Sequence, residues 1–113
     1  MAYLKRWGGP YLLEINGNLI KEWGGRYLYE ISNGKVKEWG GSYLYEISGN
    51  YIKRWGGQYL LEVSGNNIKR WGGQYLYQIS GQYIKQWGGS YEYEVVGFLS
   101  HEQWMALIAI LFA

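Results

Sequence analysis

The chain has 113 residues, no cysteine, and 11 basic against 9 acidic side chains for a net charge of +2. That length makes one domain with a core of its own. Without cysteine there are no disulfides or thiolate metal centres and the redox compartment is unread, and charge spread this evenly leaves no nucleic-acid footprint.

No basic-then-apolar leader opens the sequence, so the chain reads as soluble and, by default, cytoplasmic. Tryptophan then recurs at Trp7, Trp23, Trp39, Trp55, Trp71 and Trp87, each followed by Gly-Gly. A strict spacing of 16 is an internal repeat and has to be read before any local assignment. Aspartate and threonine are absent while 18 Gly, 13 Tyr and 7 Trp are present. So narrow an alphabet points to recent duplication or deliberate consensus design.

Each unit, as in Gly40 to Trp55, holds two β-prone runs, Tyr43 to Ser48 and Tyr51 to Trp55, around Gly49-Asn50. Two-residue Gly/Asn loops suit the primed turns of hairpins, and Asn33-Gly34 at the same place is the strongest such signal. The Gly-Gly pairs turn the chain at the other end. Residues 2–7 match the second half of a unit, five units follow to Trp87, and residues 91–96 match a first half, which makes twelve strands. The two orphan halves complete a sixth hairpin, with Glu94 opposite Lys5. The expected fold is all-β with one helix, a closed 12-stranded antiparallel up-and-down β-barrel, and closure removes both sheet edges. The alternative is an open stack of hairpins with aromatic clefts, as in choline-binding repeats, which would need capping ends.

Pairing across Gly49-Asn50 sets Ile47 opposite Ile52 and Glu46 opposite Lys53, and opposed residues share a face. The alternation puts Tyr43, Tyr45, Ile47 and Ile52 inside, because the other face would bury a band of Glu and Lys. Leu13, Ile15, Ile20, Tyr29, Ile31, Val36, Leu61, Val63, Ile68, Tyr77, Ile79 and Ile84 follow them inward.

Ser100 with Gln103 reads as a capping box, and Trp104 to Ala113 carries no polar side chain. A helix apolar all round must be buried, and this one is shorter than the roughly 20 residues of a membrane span. Twelve strands about 4.8 Å apart and tilted about 40° enclose a diameter of roughly 23 Å, room for one helix. Residues 1–113 are thus one domain, with a hairpin barrel at 2–96 and a plug helix at 100–113. The last strand runs away from the Gly-Gly end, so the helix enters at the Gly-Asn end and finishes at the Gly-Gly mouth.

A twelve-stranded closed meander threaded by a hydrophobic C-terminal helix resembles the tubby-like barrel of tubby proteins and phospholipid scramblases. The resemblance covers nearly the whole chain and rests on strand count and helix. It implies a barrel folded around its helix and, by analogy, peripheral lipid binding.

The sole histidine, His101, lies in the first helical turn, where a capping or solvated role outweighs general-base work. Glu14, Glu30, Glu46 and Glu62 face Lys21, Lys37, Lys53 and Lys69 and read as an exterior ladder. No catalytic group, cofactor or metal site can be assembled. Trp23, Trp39, Trp55, Trp71 and Trp87 lie on the outer face near the Gly-Gly rim, each opposite a Leu, as Trp55 is opposite Leu44. Such indoles either clasp the wall or bind a glycan or protein partner. Arg6, Glu22, Glu38, Arg54, Arg70 and Gln86 form a polar ring at the barrel mouth, expected to share the inward face with Tyr11, Tyr27, Tyr43, Tyr59, Tyr75 and Tyr91. The helix C-terminus, being negative, is expected near Arg6, Arg54 or Arg70. With the helix in place, no interior is expected to be left for a ligand. The function this supports is a non-enzymatic structural or scaffold barrel; the alternatives are a carbohydrate- or partner-binding module and a peripheral lipid binder.

Overall fold

The computed structural model describes every residue from Met1 to Ala113. Twelve strands come first: β1 (Ala2–Arg6), β2 (Tyr11–Asn16), β3 (Leu19–Glu22), β4 (Tyr27–Ser32), β5 (Lys35–Glu38), β6 (Tyr43–Ser48), β7 (Tyr51–Arg54), β8 (Tyr59–Ser64), β9 (Asn67–Arg70), β10 (Tyr75–Ser80), β11 (Tyr83–Gln86) and β12 (Tyr91–Val96). One helix, α1 (His101–Phe112), follows. Each strand pairs with the next and β12 returns to β1, so the sheet is a closed antiparallel barrel. At the seam Tyr3 pairs with Val96, Leu4 with Val95 and Lys5 with Glu94, and Lys5 Nζ lies 3.6 Å from Glu94 Oε1. The open stack of hairpins is thereby excluded.

The two ends of the barrel turn differently. At the Gly-Asn end the loops have two residues; Asn33 and Gly34 both take positive φ, 50° and 74°, as a type I′ turn requires. At the other end the loop has three residues, with Trp itself the first. Gly41 N–H donates to the Glu38 carbonyl and Glu38 N–H to the Ser42 carbonyl, which leaves Trp39-Gly40-Gly41 as the loop.

An odd loop shifts the register by one residue, and a β-bulge shifts it back. Lys37 pairs with Tyr43 and Val36 with Tyr45, and Leu44 is the extra residue between them. The same irregularity recurs at all six junctions of this end. A bulge breaks the two-residue alternation, and that corrects the expected inner face. Tyr45 points in, whereas Tyr43 stacks on Trp55 outside; Tyr11, Tyr27, Tyr59, Tyr75 and Tyr91 do likewise with their own tryptophans.

The remaining inward set forms the core. Leu4, Ile15, Ile20, Val36, Ile52, Leu61, Ile68, Ile84 and Val95 are buried in the wall, and Met105 through Ala109 are buried in α1. Ser100 caps α1: its hydroxyl accepts from Gln103 N–H while the Gln103 side chain accepts from Ser100 N–H. Three successive helix residues then anchor to three turns of the Gly-Asn end. Glu102 Oε2 accepts from Gly34 N–H at 2.7 Å, Gln103 Nε2 donates to the Gly17 carbonyl at 2.7 Å, and His101 Nε2 lies 3.3 Å from the Gly49 carbonyl. The helix therefore enters at the expected end. The molecule is a disc of 36 × 35 × 17 Å, its short axis close to the ~18 Å length of a twelve-residue helix.

Candidate functional site

Three surfaces of the disc carry chemistry. The first is the outer wall near the Gly-Gly rim. Six tryptophans, Trp7 included, are between 44% and 51% exposed. Each lies against a tyrosine at a centroid distance of 4.7–4.9 Å: Trp23 on Tyr11, Trp39 on Tyr27, Trp55 on Tyr43, Trp71 on Tyr59, Trp87 on Tyr75, and Trp7 on Tyr91 across the seam. The partner of each indole is thus tyrosine rather than only the opposing leucine. A lysine ammonium lies 5.4–5.7 Å over each of those tyrosines. Where the neighbouring strand supplies Tyr3, Tyr51 or Tyr83, that ring meets the indole edge-on. Stacked and edge-to-face pairs of this kind contribute about 0.5–1.5 kcal/mol each beyond area burial.

The lysines also reach the glutamate ladder. Lys53–Glu46 and Lys69–Glu62 close to 3.8 and 3.9 Å. Glu14 and Glu30 are in register with Lys21 and Lys37 without an ion pair, and Glu14 instead accepts from Gly24 N–H at 3.4 Å.

The second surface is the Gly-Gly mouth. Arg6, Glu22, Glu38, Arg54, Arg70 and Gln86 are all exposed there, each in register with an inward residue: Tyr93, Leu13, Tyr29, Tyr45, Leu61 and Tyr77 in turn. The Arg6 guanidinium sits 5.6 Å over Tyr93, and Arg26 adds an exposed ion pair to Glu22 at 3.9 Å. Ala113 makes no ion pair with any arginine; the hydroxyl of Tyr45, the residue in register with Arg54, donates to its carbonyl oxygen at 3.3 Å. The reason is an aromatic collar below the ring. Phe112 stacks on Tyr77 at 3.9 Å and meets Tyr93 edge-on, so the helix end is received by tyrosines while the guanidiniums keep their water.

The third surface corrects the expectation of a filled interior. A cleft of about 420 Å³ opens at the Gly-Asn end between α1 and the turns of β8–β11. Val63, Ile79, Trp104, Met105 and Ile108 line its apolar part, and Asn50, Asn66, Gln82 and His101 its rim. The wall positions sixteen residues apart show why it exists. Ile15, Ile31 and Val95 are buried at 1%, 3% and 1%, and Val63 is 8% exposed, whereas Ile47 and Ile79 are only half-buried. The helix is anchored to the turns at Gly17, Gly34 and Gly49 and makes no such contact with the turns of β8–β11, where the cleft opens over Val63 and Ile79. A cleft of this size and lining falls within the range of small-molecule pockets.

No group of three or more His, Cys, Asp or Glu side chains gathers to hold a metal. No helix is long and apolar enough to cross a membrane. Trp7 and the six stacked tyrosines escaped the sequence reading of the girdle. For Trp7 the sixteen-residue spacing was the available signal; for the tyrosines the bulge hides it. No protein-family profile matches the chain, no curated protein matches it, and no solved structure does.

Proposed function

We propose that this chain is a non-enzymatic scaffold barrel, built of repeated hairpins, whose working surface is the outer aromatic girdle and whose ligands are carbohydrates. The observation that carries the reading is the set of six half-exposed indoles held at equivalent positions around a closed wall. A pyranose presents a face of C–H groups that stacks on indole, and its hydroxyls need donors and acceptors beside the ring. Lysine and glutamate stand there in five of the six hairpins, and Lys85 with Gln78 in the other. One indole–sugar contact is weak, but six on a rigid ring give avidity to a polymeric or clustered glycan without further contacts.

A clasp that only protects the wall would hold its indoles equally well and bind nothing, so binding has to be measured. Tryptophan fluorescence and a glycan array form the test. The expected outcome is hits among multivalent glycans with a shift in emission. A Trp39→Ala, Trp55→Ala double variant should lose about tenfold or more in apparent affinity, as expected when avidity sites are removed, while it stays folded. An empty array together with unmoved emission sinks the reading. The barrel and its threaded helix also support a tubby-like reading with lipid as ligand, but three of the seven lysines that would meet anionic headgroups are paired to glutamates, which weakens it.

A further inference from the structure

The Gly-Gly mouth has the anatomy of a protein interface: an apolar centre within a charged rim. Leu111, Phe112, Tyr77 and Tyr93 are partly exposed at its centre. The ring around them reads, strand by odd-numbered strand, Arg6, Glu22, Glu38, Arg54, Arg70, Gln86. Two adjacent acids are followed by two adjacent bases, so one arc of the mouth is negative and the neighbouring arc positive.

We propose that two copies of this chain dock mouth to mouth about a twofold axis lying in the plane between them. Glu22 of each copy meets Arg70 of the other, Glu38 meets Arg54, and Arg6 meets Gln86. The order of the residues selects this arrangement. An axis of that kind reverses one ring against the other, and six positions allow six such appositions. In this one both acids meet bases and no like charges face each other. In each of the other five at least one pair of like charges is brought together, which opposes association. The contact is isologous, the form that closes a dimer without continuing into a fibre.

The dimensions suit it. A disc of 36 × 35 Å has a face of about 1,000 Å², against about 800 Å² per partner in a standard interface. Three further charges reach this mouth. Glu92 Oε2 accepts from Gln86 Nε2 at 3.3 Å and would stand beside Arg6 of the other copy, a favourable neighbour. Arg26 is tied to its own Glu22 and would stand beside Arg70 of the other copy, the one unfavourable neighbour. Ala113 ends at Tyr45 on β6, where the axis passes and where both Arg54 side chains converge. The girdle lies on the outer wall and stays uncovered, so the dimer is independent of the carbohydrate reading.

Light scattering and sedimentation of the whole chain over micromolar to millimolar concentration test the proposal. A dimer is expected at low salt, with a Kd that rises tenfold or more between about 20 mM and 500 mM salt as screening sets in. Glu22→Arg with Glu38→Arg makes a basic mouth, and Arg54→Glu with Arg70→Glu an acidic one. Each double variant alone should be monomeric with an unchanged circular dichroism spectrum, and an equimolar mixture should form a one-to-one heterodimer. A wild type that stays monomeric at low salt, double variants that dimerise as the wild type does, or a mixture of folded variants that fails to pair would each overturn it. Should either double variant misfold, Glu38→Gln and Arg54→Gln must each weaken the dimer; if neither does, the mouth is not the interface.

Discussion

Tyr77 shows how one side chain records its surroundings. Its ring is stacked on Phe112, and its pKa is raised above the ordinary 10.0, first by burial and then by Glu92 and Tyr93. A raised folded-state pKa means that below pH 10 both states hold the proton and nothing is lost. Above it the unfolded chain ionises first, and stability falls as pH rises through the folded value. Thermal melts from pH 9 to 11 should therefore show a declining Tm. In Tyr77→Phe the decline should be smaller by about 1–2 °C, a modest figure because the ring is partly exposed; an identical slope would mean that Tyr77 titrates as in the unfolded chain. Another tyrosine faces a side of the wall that its place in the sequence does not disclose. Tyr43 and Tyr45 are two apart and by alternation share a face. Only the bulge at Leu44 sends one out and the other in, and a bulge is set by loop geometry on the neighbouring strand rather than by either tyrosine.

Among the elements, α1 was the most legible. Its cap, its direction and its burial all follow from the residues: Ser100 and Gln103 for the cap, ten apolar positions for the burial, and strand parity for the direction. What the sequence could not convey is where within the barrel it lies. That offset depends on Gln103 reaching the Gly17 carbonyl and Glu102 reaching Gly34 N–H, contacts between residues far apart in the chain with no periodic signature. The helix nonetheless supplies the run from Met105 to Ala109 around which the buried wall residues pack. Leu107, with no exposed surface, should cost about 2–5 kcal/mol when cut to alanine, read as a lower denaturation midpoint with an unchanged slope. A loss below about 1 kcal/mol would mean that the wall holds together without its plug.

At the scale of the molecule, strand number and closure were readable because the two end segments complement each other. Lys5 against Glu94 is the same pair that Lys53 makes with Glu46. The cleft was not readable, since near-identical hairpins predict a symmetric interior and only the placement of the helix breaks that symmetry. Closure has a direct signature in hydrogen exchange. The seam amides, such as Trp7 N–H bonded to the Glu92 carbonyl at 2.9 Å, should exchange as slowly as their counterparts at Trp39 and Trp55. Exchange at the seam faster by two orders of magnitude or more would show a ring that opens there far below the global unfolding free energy.

The same seam governs how the molecule is made. Every other pairing joins neighbours in the chain, but Tyr3 finds Val96 only after the intervening strands are in place. Closing that span costs about 1.5 kcal/mol more in chain entropy than closing a sixteen-residue one, a small equilibrium term that still puts the long-range pairing last in time. Until then β1 and β12 are two bare and mutually matched edges. A nascent barrel can satisfy its β12 with its own β1 or with that of a neighbour. The first route gives a sealed monomer and the second a strand-exchanged chain of barrels, and protein concentration during folding decides between them.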